Sequence, residues 1–528
     1  MNYAELFRVT LPETVLEVAA LLVLVVDLSL LRNAAIKTRA AAAVLLGVAG
    51  CAVALWAMSF ASAAGLSAGS DLLLSAGGTA GVAQAGILIL TAITLLLLID
   101  SDFTRHAGEY VAVVLMAAAG GLLIAAAQDL LVIFIGLELL SLGLYILTAF
   151  AKKSGKSAEA AMKYYLFGGM SAAFLLFGFS YLYGLSGSTW LPRVVLGTYL
   201  AAARGGSPLL YIALIMIAAG LGFKVAAAPF HFWTPDAYEG APAPAAAFIA
   251  SVSKVASFAL LISISSVALR FIESLQRAGY LGPGRVTLIV TLPGAPRPVV
   301  TPGIIFAWPL ILTVLSVASM ILGNLAALAQ TSVRRLLAYS AIAHAGYILV
   351  GLTFVGWTSR IPEAVLYYIL TYGLTTVGAF GVISVVEQAT GSDRLDAFLG
   401  LHKRNPLLAA VMLVLFLSLA GIPPLVGFWA KFNLFTAVLG MGDRFPVTSL
   451  PTEPLVLVAL AIAMSAVSLY YYLQVLKRVY VMPAADETPI HAHPVTMAVL
   501  LVIGATVVVM GCFPALLQNW IASFYPAL

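Results

Sequence analysis

Charge is what this 528-residue sequence lacks most: Asp, Glu, Lys and Arg together make up 9%. Soluble domains carry roughly a quarter charged residues. With 62% hydrophobic residues and a mean hydropathy of +1.06, a water-soluble fold is excluded. Cysteine is nearly absent too. Cys51 and Cys512 each sit inside an apolar run, whereas iron–sulfur clusters need several thiolates and c-type haem needs a CxxCH motif. No Walker-type or dinucleotide glycine fingerprint stands at a strand-to-helix junction, so the sequence offers no place for a nucleotide, and no cofactor is expected on this chain. The net charge of +5 is too small and too scattered for a nucleic-acid partner. It fits the basic excess of cytoplasmic loops, and the surroundings expected for most of the surface are the lipid bilayer.

What the sequence does have is a succession of long apolar runs. A bilayer-crossing helix needs about 20 residues, and the chain offers about fourteen such stretches. They lie at roughly 12–31, 40–62, 85–100, 109–127, 129–150, 162–185, 208–230, 245–272, 304–324, 333–356, 362–388, 405–440, 454–480 and 494–524. The expected fold is an all-α polytopic membrane protein. The first run lacks a small-residue cleavage site and reads as a transmembrane helix rather than a signal peptide. The twelfth is too long for one straight helix and contains GIPPLVGF, so it is expected to form two half-helices around Pro423 and Pro424. Alternate loops hold fourteen basic residues, among them Lys152, Lys153, Arg334 and Arg335, against eight on the other side. This bias places both termini on the non-cytoplasmic side of the membrane. The segment 285–300, with two β-branched runs around PGAP, reads as an extramembrane β-hairpin.

The stretch GFKVAAAPFHFWTPDAYEGAPAPAAAFIASVSK, from Gly222 to Lys254, interrupts this apolar pattern. Broken backbone and ionisable groups are tolerated in hydrocarbon only where they are buried in protein or line a wet cavity. Span seven carries Lys224 shortly before Pro229, and span twelve carries Lys431 shortly after Pro423–Pro424. Two lysine-bearing broken helices five spans apart suggest two five-helix units, spans 4–8 and 9–13. Five is odd, so one unit would be inverted relative to the other. The expected divisions are residues 1–108 (three spans), 109–272 (first unit), 273–303 (hairpin insertion), 304–481 (second unit) and 482–528 (last span).

The intramembrane charges carry the chemistry. Glu138 stands in the middle of span five, where an unpaired carboxylate costs at least a few kcal/mol. It must be paired, hydrated or protonated, and Lys224 is the expected partner. A static pair would only fix packing, but lysine, unlike arginine, can give up its proton when desolvated. Lys254 follows one helix later, among Ser251, Ser253 and Ser257, which can solvate an amine or hold waters. Lys431 lies beside the second break. His231 and His344 are candidates for neutral relays between lysines, though a lone histidine also serves as a hydrogen-bonded core residue. Lys163 is either a relay residue or an interfacial anchor. Asp236, Glu239 and Asp129 read as solvated or capping groups. Tyr164–Tyr165 and the run Tyr470–Tyr472 read as packing or interface belt.

The stretches FKVAAAPFHFWTPDAYEGAPAPAAAFIASVSK, RRLLAYSAIAHAGYILVG, LAGIPPLVGFWAKF and MKYYLFGGMSAAFLLFGFSYLYGLSG resemble the antiporter-like membrane subunits of respiratory complex I, NADH-quinone oxidoreductase. The lysine in span twelve, where the M-type has a glutamate-bearing pattern, and the end of the chain just after span fourteen, without the lateral helix of the L-type, resemble the N-type. The resemblance implies two inverted five-helix repeats, each with a proline-broken helix, in a proton-pumping membrane arm. It implies that Glu138 and Lys224 form a paired switch, Lys254 a central relay and Lys431 an outlet lysine. His231, His344 and Lys163 fall on matching motif positions. FMN, Fe–S clusters, NADH and quinone are then expected in partner subunits, with neighbouring antiporter-like and small membrane subunits as partners in the bacterial cytoplasmic (inner) membrane. The alternative is a subunit of an Mrp-type Na⁺/H⁺ antiporter or of a membrane-bound hydrogenase.

Overall fold

The computed structural model describes all residues except 1–2, 64–72, 76, 100–102, 204–207, 278–301, 356–359, 441–453, 485–487 and 526–528. The expected hairpin at 285–300 lies outside the described residues. Among those that are described, helices account for almost everything, and β-pairing is limited to isolated bridges such as Asp129 with Trp190 and Ser332 with Arg394.

The chain begins with α1 (Tyr3–Val9) and α2 (Leu11–Val25), which widens into a π-turn over Val26–Leu30. Helices α3 (Ile36–Ala63) and α4 (Gly78–Leu96) complete the N-terminal group. Then come α5 (Ala107–Ala126), α6 (Leu130–Thr148), the long α7 (Gly155–Ser186), the short α8 (Leu191–Ala203) and α9 (Pro208–Val225). Three segments follow closely: α10 (Trp233–Gly240), α11 (Ala243–Ala250) and α12 (Val252–Arg277). The second half holds α13 (Pro302–Leu328), α14 (Val333–Thr353), α15 (Arg360–Thr390), the single turn α16 (Leu401–Arg404), α17 (Pro406–Ala420) and α18 (Val426–Leu439). It ends with α19 (Pro454–Tyr480), α20 (Pro494–Cys512) and α21 (Ala515–Ala522). Twelve described helices are long and apolar enough to cross a bilayer. The α2 segment and the α17–α18 pair bring the crossings to about fourteen.

Local chemistry sets the helix starts. Side-chain oxygens of Asp129, Ser154, Ser332 and Asn405 each accept a backbone N–H from the first turn of α6, α7, α14 and α17. These caps satisfy donors that have no partner within the helix. The capping role expected for Asp129 is thus observed, and its second oxygen accepts from Thr189 at 2.6 Å.

Three helices break inside the bundle. The α9 helix stops at Val225, Ala226 turns left-handed (φ 59°), and the chain passes Pro229 before resuming at α10. The freed backbone is satisfied within the protein: Ala227 N–H donates to Gly222 O at 2.7 Å and Ala228 N–H to Ser319 Oγ at 2.8 Å. As expected from GIPPLVGF, the twelfth span is split. Here α17 ends on left-handed Gly421 (φ 86°), a conformation that favours glycine, and α18 resumes after Pro423 and Pro424. The third break was not expected. The eighth span divides at Ser251, whose hydroxyl donates to Ala247 O at 2.6 Å, a back-bond that bends helices.

Of the three broken spans, α11–α12 lies at the centre of the bundle, whereas Pro423 and Pro424 of the α17–α18 break are exposed. The most apolar windows of α11–α12 and α14 are 94% buried and that of α15 89%, against 33% for α7, α19 and α20. Outward-facing Leu166, Met170 and Phe177 on α7 read as lipid-facing surface. The helices that carry Lys254 and His344 are therefore the ones most shielded from lipid.

Candidate functional site

The first cluster forms where α9 ends. Lys224 occupies the last turn of α9, is buried, and donates from Nζ to Ser141 Oγ on α6 at 2.6 Å. Glu138 stands one turn before Ser141 on α6 and is half-buried. Among the described residues no direct ion pair joins Glu138 to Lys224, but the carboxylate is near enough to act on both Lys224 and Tyr145 through its charge. Lys254, in the first turn of α12, is buried and donates from Nζ to Val225 O. That carbonyl belongs to the last residue of α9. A helix end leaves such oxygens without intrahelical partners and carries partial negative charge, so the break supplies an acceptor for a buried amine. Trp233 closes the cluster, donating from Nε1 to Phe223 O at 3.0 Å and stacking on Tyr164 with ring centroids 4.2 Å apart.

The second cluster has the same logic around the other break. Lys431, buried in α18, donates from Nζ to Leu419 O at 3.3 Å, Ala420 O at 3.0 Å and Ser465 Oγ at 2.8 Å. Two of these acceptors are the terminal carbonyls of α17. The ammonium also lies 5.3 Å from the centroid of the Tyr347 ring, within cation–π range.

His344 on α14 lies between the two clusters. Its Nδ1 is 2.8 Å from Tyr368 Oη and its Nε2 3.4 Å from Tyr472 Oη. Tyr472 is in turn hydrogen-bonded to Ser340. Charges on both Lys431 and Lys254 are close enough to act on His344. A small cavity opens from His344 towards α17 and α18, lined by Tyr368, Thr371, Tyr372, Thr375, Ser418, Leu419, Gly427 and Ala430. Its exposed wall is mainly apolar, and Leu419 ties it to the lysine of the second break.

The other two candidates are placed elsewhere. His231 is buried just beyond Pro229 and stacks on Phe232 with ring centroids 4.7 Å apart. Lys163 on α7 pairs with Glu159 and Asp236, each at 2.8 Å, and is 43% exposed. Asp236 and Glu239, read from the sequence as solvated or capping groups, are partly buried and bridge the two halves of the chain. Arg335 on α14 reaches Asp236 at 2.8 Å and Glu239 at 2.9 Å, and Lys156 reaches Glu239 at 3.6 Å. Burial alone would raise the Asp236 carboxyl, but hydrogen bonds from Lys163 and Arg335 outweigh it and hold the group below the usual carboxylate range. Beside them Arg334, almost fully buried, donates to Glu239 O, Ala241 O and Glu387 Oε2.

Sequence reasoning missed Ser141, Tyr368, Tyr472 and Ser465. Of the tyrosines read as packing or belt, Tyr470 is exposed and Tyr471 and Tyr472 are buried, and the Tyr472 hydroxyl also lies 3.4 Å from His344 Nε2. The usable signal was spacing: Ser141 is i+3 from Glu138, and Ser465, Ser468 and Tyr472 recur at i, i+3 and i+7 on α19.

The family profile described as "NADH:quinone oxidoreductase/Mrp antiporter, TM" matches residues 127–278 and 298–453, a span that includes every site residue expected from the sequence but not Ser465 or Tyr472. NADH-quinone oxidoreductase subunit N 2 of Acidobacterium capsulatum is 46% identical over 531 residues, covering 99% of each chain. A chain of respiratory complex I from Thermus thermophilus, solved with bound aureothin, is 32% identical and superposes with a TM-score of 0.72 over 96% of this chain and 98% of its own. A chain of the Mrp complex from Dietzia sp. DQ12-45-1b shares the fold at 20% identity, with a TM-score of 0.74 over 98% of both chains. The sequence thus belongs to the antiporter-like membrane-subunit family of NADH-quinone oxidoreductase, on the branch of its N subunits.

Proposed function

We propose that this chain is a proton-translocating membrane-arm subunit of NADH-quinone oxidoreductase, driven by quinone reduction in other subunits. The observation that carries the reading is the environment of Lys224, Lys254 and Lys431. All three are buried, and among the described residues each donates to hydroxyls or helix-end carbonyls rather than to a carboxylate. A permanent charge so placed is costly; an amine that passes its proton on is not.

In this mechanism Glu138 and Lys224 are the switch, Lys254 the central relay, His344 with intervening waters the connection, and Lys431 the outlet. His231 and Lys163 serve as secondary relay groups on the uptake side. No redox step occurs in this chain. At an effective dielectric of 20, a unit charge moved to 4 Å from another changes the energy by about 4 kcal/mol, enough to drive a proton from one lysine to the next. The flavin, Fe–S clusters, NADH and quinone would all be held by partner subunits, and neighbouring antiporter-like and small membrane subunits would flank this one. The chain would lie in the bacterial cytoplasmic membrane with both termini on the non-cytoplasmic side. The two lysine-capped breaks support two inverted five-helix units at about 109–272 and 304–481, after three leading spans and before a final one.

The test is Lys254→Ala in the assembled complex, reconstituted into proteoliposomes. Proton pumping is expected to be lost and coupled quinone reduction to fall. Retention of both at the unsubstituted rate would overturn the relay. Na⁺-dependent proton exchange without NADH would instead favour the antiporter reading.

A further inference from the structure

We infer that Ser141 is a positioning residue of the switch: it is the second partner of Lys224 and holds the amine away from Glu138. The inference rests on the relay reading above and goes further, because it names the state in which the lysine waits.

Three observations carry it. The Ser141 hydroxyl donates its own proton to Leu137 O within α6, so only its lone pairs are free to face a neighbour. It is therefore set as an acceptor, and Lys224 Nζ donates to it at 2.6 Å. Second, Glu138 and Ser141 are three residues apart on one helix, which places their side chains on the same face about 5–6 Å apart at Cβ. The four-carbon stem of a lysine covers that distance by rotamer changes, without backbone movement. Third, Ser141 is buried while Glu138 is half-buried, so the two partners offer the amine different surroundings as well as different charge.

A switch with one partner must break a buried contact into nothing. With two, the lysine exchanges a carboxylate for a hydroxyl and is never left without an acceptor. Loss of Glu138 as partner then becomes a move to a defined place, from which Lys254, bonded to the carbonyl at the end of α9, is the next amine.

The experiment compares Ser141→Ala, Ser141→Cys and Ser141→Thr in the assembled, proteoliposome-reconstituted complex, with Lys224→Ala as reference. Coupled proton pumping per complex is measured, and subunit content is checked on native gels. Removing the acceptor strands Lys224 on Glu138, so Ser141→Ala is expected to pump about tenfold more slowly, the effect of one lost hydrogen bond to a charged group. Ser141→Thr should restore most of the rate and Ser141→Cys should fall between, following acceptor strength. A Ser141→Ala complex that pumps at the unsubstituted rate overturns the inference. Rates that rank by side-chain size, with threonine worst, overturn it too, since that pattern belongs to packing. If Lys224→Ala itself pumps normally, the relay reading fails and takes this inference with it; if Lys224→Ala is inactive and Ser141→Ala is not, the relay reading survives and this inference alone is refuted.

Discussion

Arg334 is the side chain whose loss should loosen the junction between the two halves. It lies in the first turn of α14, its side chain is 4% exposed, and it donates to Glu239 O at 3.1 Å, Ala241 O at 2.7 Å and Glu387 Oε2 at 2.5 Å. The first two acceptors lie at the C-terminal end of α10, where carbonyls lack intrahelical partners. Arg334→Met keeps the aliphatic bulk and removes every donor. A buried acceptor left unsatisfied costs about 1–3 kcal/mol, which gives two carbonyls a bracket of about 2–6 kcal/mol. Glu387 is 35% exposed and rehydrates, so it adds little. The lower half of the bracket, about 3 kcal/mol, corresponds to a roughly 100-fold larger opening equilibrium. Hydrogen exchange of the intact complex, followed by mass spectrometry, reads that quantity directly. Amides of Trp233–Ala241 should exchange about 100-fold faster in Arg334→Met, while Glu387→Gln, which keeps an acceptor, should change them far less. Exchange within threefold of the unsubstituted protein would show that α10 does not depend on this guanidinium.

Two further outcomes follow from the same contacts. Asp236 is held below the usual carboxylate range by Lys163 and Arg335, so its folded form binds its proton less readily than its unfolded form. Its contribution is present in full above an unfolded value of about 4 and disappears as the pH falls through the lowered folded value. Protection of the α10 amides, corrected for the slower intrinsic exchange in acid, should therefore fall as the pH drops, and Asp236→Asn should be less protected at neutral pH with a shallower acid dependence; an unchanged acid limb would refute this. Tyr472→Phe removes the hydroxyl that serves both Ser340 and His344 Nε2. Coupled pumping should slow by roughly tenfold, about 1.4 kcal/mol for one hydrogen bond, with normal assembly on native gels; an unchanged rate would assign this tyrosine to packing.

What the sequence discloses here follows from contrast. Lys224, Lys254 and Lys431 stand out because an ammonium in an apolar run must be answered by something, and Pro423–Pro424 stands out because proline removes a donor that the helix needs. Both signals are local, and both led to features that the structure contains. The break at Ser251 had no such signal: serine is common in membrane helices, and its back-bond to Ala247 is invisible in composition. Ser141 and Tyr472 are obscure for the same reason, since a single hydroxyl in a span is cheap enough to need no explanation. Asp236 was misread for a different reason. Its partner Arg335 lies 99 residues further on, and nothing in either neighbourhood reports the other. A costly group therefore announces that a partner exists, but the partner, being the one that makes the group affordable, is ordinary by itself. The acceptors of the three lysines, two hydroxyls and three helix-end carbonyls, are of this kind: they are neutral groups common in any apolar helix, and that is what hides them in the sequence.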